Sequence, residues 1–126
     1  MNAEIISIAD EILIGQIVNT NATFISQALS DVGIHCNYVH TVRDHKEDIL
    51  QAIDLAYKRS NLVVLTGGLG PTNDDLTKDV LCDYFDDTLI VDNDVLNDIT
   101  SFFKSKGRKD ISKLNKEQAL VPSKAK

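Results

Sequence analysis

Apolar residues fall along this chain in two rhythms, short unbroken runs and helical spacings, and the two alternate. Ile5-Ile6-Ser7-Ile8-Ala9, β-branched and bounded by Asp10, predicts a buried strand. Asn19-Thr20-Asn21 is a capping cluster. It precedes Ala22, Ile25, Ala28, Leu29 and Val32, which mark one face of a helix that Gly33 ends. Residues 34–42 predict a second strand with Ile34, Cys36 and Tyr38 on one face. Asp44 and Glu47 form a D-x-x-E start for a helix that buries Ile49, Ala52, Ile53, Ala56 and Tyr57 and stops near Ser60-Asn61.

Leu62-Val63-Val64-Leu65-Thr66 is the clearest strand, and its continuous apolar run predicts a central position covered on both faces. It leads into a glycine-rich turn. Leu76, Val80, Leu81 and Tyr84 then return to helical spacing, with Asp74 or Asp75 as the cap. A short strand around residues 88–91 follows, then a helix capped by Asp92, with Val95, Leu96, Ile99 and Phe103 inward and Gly107 closing it. Ala119-Leu120-Val121-Pro122 reads as the approach to a strand that the chain does not complete.

Strand and helix in alternation predict an α/β fold, a three-layer α/β/α domain on a mostly parallel sheet, spanning 1–126. A chain of this size buries roughly two-thirds of its unfolded surface, enough for a core without staples. The net charge of −6 argues against a nucleic-acid partner, whose binding surface is normally basic. An acidic chain that binds phosphate must rely on main-chain amides, local cations or a metal ion. Cys36 and Cys82 lack metal-ligand spacing and read as reduced, buried thiols; His35, His40 and His45 do not cluster and read as surface or strand residues. With no signal peptide and no apolar run of membrane-spanning length, the expected location is cytoplasmic, with no membrane partner.

The candidate chemistry lies in Thr66-Gly67-Gly68-Leu69-Gly70-Pro71-Thr72 with Asp74 and Asp75 beside it. A turn from a parallel strand into a helix places amides at the helix N-terminus, a ready anion site. Gly67, Gly68 and Gly70 allow close backbone approach, Pro71 stiffens the turn, and the hydroxyls of Thr66, Thr72 and Thr77 can donate to phosphate oxygens. No lysine follows as a P-loop requires, and Asn73 stands where a dinucleotide fingerprint has its third glycine. Two carboxylates beside a diphosphate call for a cation between them. One of Asp74 and Asp75 therefore reads as a cap and the other as a metal-side or water-activating group. Asp10 and Glu11, at the end of the first strand, fall on the same sheet edge and could add a metal ligand or general base. Asn19 and Asn21 read first as caps, with ligand contact secondary, and Lys78 as a solvated helix lysine.

Two stretches, residues 11–22 (EILIGQIVNTNA) and 66–77 (TGGLGPTNDDLT), resemble the N-terminal domain of the bacterial competence/damage-inducible CinA family, within the molybdopterin-binding (MoaB/MogA-like) superfamily. Gln118-Ala119-Leu120-Val121-Pro122 is also similar to that family. The resemblance implies the molybdopterin-binding-like α/β/α fold and metal-dependent hydrolysis of ADP-ribose to AMP and ribose 5-phosphate. It also implies a divalent cofactor (Mg²⁺, Mn²⁺ or Co²⁺, with K⁺ as a further candidate) and a homo-oligomer. Carried over by motif, Gly67, Gly68, Gly70, Asp74, Asp75 and Thr77 line the phosphate and metal site, with Glu11 opposite. The catalytic candidates are then Asp75, Asp74 and Glu11. The substrate-side candidates are Thr66, Gly67, Gly68, Gly70, Thr72, Thr77 and Asn21, and the metal candidates Asp74, Asp75 and Asp10. Two departures stand out: the family usually has glycine at the position of Ala9, and its members continue well beyond position 126, so the domain reads as truncated there. The competing readings are a non-catalytic binding module for a pterin phosphate and a structural or regulatory domain with a vestigial pocket.

Overall fold

The computed structural model describes residues 1–126, which form two compact units, Met1–Gly68 and Leu69–Lys126. The first contains β1 (Asn2–Ile8), α1 (Asp10–Leu13), α2 (Thr20–Asp31), β2 (His35–Val42), α3 (Lys46–Arg59) and β3 (Leu62–Thr66). Its three strands form one parallel sheet in the order β2-β1-β3. The central strand is therefore β1. Every residue from Ala3 to Ile8 is buried, and since neighbours in a strand point to opposite faces, the sheet is covered on both sides. Ser7 meets Asn19 at the start of α2, and Glu4 meets Arg59 at the end of α3. Residues 4 and 7 differ in parity, so the two helices lie on opposite faces and the unit has three layers, α/β/α.

Several expectations change here. Leu62–Thr66 is an edge strand of this sheet and only half-buried, not the central strand. The apolar run that predicts β1 begins only at Ile5, because Glu4 is charged and its partners lie more than 30 residues away in sequence. The register between β1 and β2 shifts between Ala3 and Glu4, so Asn37 is an extra residue. This bulge breaks the alternation of Cys36 and Tyr38, and Tyr38 instead lies with its ring 3.8 Å under the Arg59 guanidinium. Helix α3 starts at Lys46 with His45 in the capping position, one residue past the D-x-x-E start. Tyr57 is 64% exposed and Val32 71% exposed, and Ala28 faces solvent too, so the apolar stripes of α3 and α2 are narrower than expected. Ile49, Ile53 and Ala56 carry the buried face of α3, each isoleucine contributing roughly 1.5–3 kcal/mol.

The second unit contains α4 (Thr77–Phe85), β4 (Leu89–Val91), α5 (Asn93–Ser105), α6 (Lys113–Glu117) and β5 (Leu120–Pro122). Asp92 caps α5 as expected, accepting from the amides of Asp94 and Val95 at 2.9 and 3.0 Å. Strand β5 is a completed partner, pairing antiparallel with β4 through Ile90↔Val121. Asp87 fixes its far end by accepting from the Ser123 hydroxyl and the Lys124 amide. The sequence rhythm did not reveal α6, a helix of five residues whose apolar face is too short to show a period. No helix is long and apolar enough to cross a membrane.

Candidate functional site

The boundary between the two units falls inside the glycine motif, with Thr66, Gly67 and Gly68 in the first and Leu69, Gly70, Pro71 and Thr72 in the second. In the first unit β1 and β3 run parallel with Ser7 opposite Thr66, so both end at one sheet edge. Thr66, Gly67 and Gly68 leave β3 there. Asp10 and Glu11 leave β1 at the same edge, both exposed, in the first turn of α1. The structure thus brings these five residues to the C-terminal edge of the sheet. Gly67 is required by packing: a Cβ would lie 2.0 Å from the carbonyl oxygen of Ile8, and its φ of +98° belongs to glycine. Ala9 has φ −167°, extended backbone open to any residue, so alanine is accommodated where the family usually has glycine.

Asn19 connects this edge to α2. Its side-chain oxygen accepts from the Ala22 amide at 3.1 Å, and its amide nitrogen donates to the Ser7 hydroxyl at 2.8 Å. Asn19 is therefore the cap, while Asn21 sits exposed inside the first turn of α2 and caps nothing.

In the second unit the loop does not run straight into a helix. Six residues separate Gly70 from Thr77, the first residue of α4, and Leu76 holds the capping position without a side-chain bond. The dipole of α4 therefore does not begin at the glycines, and neither Asp74 nor Asp75 caps the helix. Asp75 turns back on the loop instead. Its Oδ2 accepts from the Thr72 amide at 3.0 Å and the Thr72 hydroxyl at 2.6 Å. The Thr72 hydroxyl foremost, with the amides of Thr72 and Gly70, holds this carboxyl below its ordinary range against the opposing effect of burial. A Cβ at Gly70 would lie 2.5 Å from this carboxylate, so a larger residue there would push the Asp75 side chain aside. Asp74 is exposed and Thr77 buried. Gly70, Thr72 and Asp75 line a cleft of about 220 Å³ with Lys78, Glu117 and Leu120. Lys78 is not a solvated lysine: half-buried, it donates to the carbonyls of Leu120 at 3.1 Å and Glu117 at 3.4 Å.

A resident metal does not fit these residues. No three His, Cys, Asp or Glu side chains stand together as a ligand set, and Asp75 is already engaged by its loop. What one exposed carboxylate such as Asp74 suits is an ion that arrives on a ligand's phosphates.

Sequence reasoning missed the buried cluster at the other end of β1. Glu4, 1% exposed, accepts from Arg59 Nε at 2.9 Å, Arg59 Nη2 at 2.7 Å and the Ser60 hydroxyl at 3.1 Å, with His40 Nε2 at 3.0 Å. The signal was present: a glutamate one residue from an isoleucine run needs a buried partner.

A parallel sheet covered on both faces, with a glycine turn and acidic residues at its C-terminal edge, defines a molybdopterin-binding-like α/β domain. The family model described as "Probable molybdopterin binding domain" matches residues 4–123. The "CinA-like protein" of Flavobacterium psychrophilum is 45% identical over 98% of this chain, which spans 30% of that relative's length. The crystal structure of the protein CinA, of unknown function, from Thermoplasma acidophilum superposes with a TM-score of 0.83 at 36% identity, covering 97% of this chain and 70% of that one. MoaB of Pyrococcus furiosus, described as a tungsten cofactor synthesizing protein, gives a TM-score of 0.64 at 27% identity, over 84% and 64% of the two chains. The chain belongs to the CinA family, within that molybdopterin-binding class.

Proposed function

We propose that this domain binds a phosphorylated small molecule at the glycine motif, and that in full-length members of the family it supports hydrolysis of an ADP-ribose-type diphosphate. The observation that supports the reading is the placement of Thr66, Gly67 and Gly68 at the C-terminal edge of the parallel sheet with the exposed Asp10 and Glu11, whereas the Thr72 amide and hydroxyl are already taken by Asp75. Thr66, Gly67 and Gly68 offer main chain at the sheet edge, where α/β folds bind ligands. In this reading the exposed Asp74 is the carboxylate on the loop that accepts a proton from an attacking water as that water breaks the phosphorus–oxygen bond and releases AMP and ribose 5-phosphate. The divalent ion, Mg²⁺, Mn²⁺ or Co²⁺, belongs with the substrate phosphates in this reading, and K⁺ has no assigned ligand.

The test is AMP release from ADP-ribose by the full-length protein with each divalent ion in turn. Turnover that falls at least about a hundredfold in Asp74→Asn, with thermal unfolding unchanged, supports the reading. Absence of AMP with all three ions ends the hydrolytic part. A second reading, binding of a pterin phosphate without catalysis, draws on the description of the matching family model and on the likeness to MoaB. Thermal stabilisation by molybdopterin without ADP-ribose turnover would favour it.

A further inference from the structure

We propose that α5 pairs with α5 of a second copy of this chain, antiparallel, across a two-fold axis at Ile99. The pairing is independent of any ligand at the glycine motif. Along α5, Val95, Leu96, Ile99, Phe102 and Phe103 recur at helical spacing and fall on one face. Asp92 and Lys106 stand on the same face, one at each end, because each lies seven residues, about two turns, from Ile99. The Lys106 ammonium is accordingly 5.8 Å from the Phe102 ring centroid.

The chain does not cover this face itself. α5 has 13 residues and buries none of them, whereas α3, with 14, buries Ile49, Ile53 and Ala56. Val95, Leu96, Ile99 and Phe103 stay half-buried, and Phe102 is 58% exposed. The charged ends have capacity to spare. Asp92 spends Oδ1 on the amides of Asp94 and Val95, which leaves Oδ2 for a partner, and Lys106 is exposed.

The order of the residues says what fits there. From Asp92 to Lys106 the steps along the face are 3, 1, 3, 3, 1 and 3 residues, the same in either direction. A second α5 turned end for end therefore sets Ile99 on Ile99, Val95 and Leu96 against the two phenylalanines, and Asp92 against Lys106 at both ends. The face is its own complement in shape and in charge, which is what an isologous contact requires. Antiparallel pairing also sets the opposite ends of the two helix dipoles beside each other. A parallel pair would put Asp92 on Asp92 and Lys106 on Lys106. A polyanion such as a nucleic acid or an acidic membrane would meet Lys106 but also the carboxylates of Asp92, Asp94 and Asp98 on the same helix. The paired length is about 20 Å, small for a specific interface, so the association should fall in the micromolar range.

The experiment is sedimentation equilibrium of the full-length protein over a micromolar concentration series. The wild type should associate reversibly. Ile99→Glu and Ile99→Lys each set like charges face to face at the axis, and each should raise Kd at least about tenfold. An equimolar mixture of the two should restore association, because only a contact of residue 99 with its own copy pairs the new charges; restoration also shows that both variants fold. Lys106→Glu, at an exposed position, should raise Kd at least about threefold with thermal unfolding unchanged. A wild type that stays a single chain across the series overturns the pairing. So does an association that Ile99→Glu leaves intact, or a mixture that does not associate, and either result assigns the face of α5 to a different partner or to another segment of the full-length chain. Should both Ile99 variants unfold, Lys106→Glu decides, and unchanged association by that variant overturns the pairing.

Discussion

Replacing Arg59 with methionine tests the physical account of the fold most directly. Glu4 is 1% exposed, and its two carboxylate oxygens depend on Arg59 for bonds at 2.7 and 2.9 Å. Methionine keeps most of the aliphatic stem but leaves the Ser60 hydroxyl and His40 to satisfy a buried charge. Breaking one side of such a pair costs about 3–5 kcal/mol. That is a large share of the roughly 5–15 kcal/mol that holds a domain of this kind together. Each kcal/mol moves the midpoint by a few degrees in a chain this long, so Tm should fall by roughly 10–20 °C at neutral pH.

The pH dependence gives the test its edge. In the wild type Arg59 foremost holds the Glu4 carboxyl below its usual range, and burial only partly opposes it. A lowered carboxyl contributes stability that is complete above about pH 4.3, its value in the unfolded chain, and is lost as pH falls through the lower folded value. Without Arg59, burial dominates and raises the carboxyl, so the variant's deficit should shrink as the pH is lowered toward about 5 and Glu4 takes up a proton.

A rearrangement at His40 should accompany it. Arg59 Nη2, Glu4 Oε1 and His40 Nε2 form a triangle with edges of 2.7, 2.7 and 3.0 Å. A guanidinium only donates and a carboxylate only accepts, so Nε2 cannot bond to both: it either accepts from Arg59 or donates to Glu4. Removing Arg59 should move the His40 proton to Nε2, which ¹⁵N-detected imidazole spectra report. Urea unfolding of both proteins at pH about 7.5 and about 5 measures the energies. A deficit below about 1 kcal/mol, the range of an exposed pair, or one that does not change with pH, would refute the buried-charge argument.

Substitutions at three further positions probe backbone packing and helix capping. Gly67→Ala should abolish folding or lower Tm severely, because its Cβ would sit 2.0 Å from the Ile8 carbonyl oxygen; Gly15→Ala has open space and only its φ of +77° to overcome, costing about 1–2 kcal/mol, and paired thermal scans compare them. Asn19→Ala should cost about 1–2 kcal/mol in chemical unfolding, because it removes the Ala22 cap and a partner of the buried Ser7 hydroxyl, while Asn19→Asp keeps the cap and should lose less.

What local chemistry dictates was legible in the chain. Capping by Asn19 and Asp92, helix ends at Gly33 and Gly107, and the bounds of β3 depend on neighbours within a few residues, and the sequence carries all of these. The family motif was equally legible, because a glycine turn followed by paired aspartates is a contiguous pattern. Tertiary structure decided what depends on distant partners. Glu4 can lie buried in the central strand because Arg59, 55 residues away, meets its charge; the sequence signals that such a glutamate needs a partner but not which residue supplies it. Lys78 left solvent for the carbonyls of residues 117 and 120, which only chain reversal through β4 and β5 could bring near. The two aspartates read alike in sequence, and the fold alone separates them: Asp75 curls back onto Thr72 and Asp74 faces water, because a loop's path, not its composition, decides which carboxylate meets the amides.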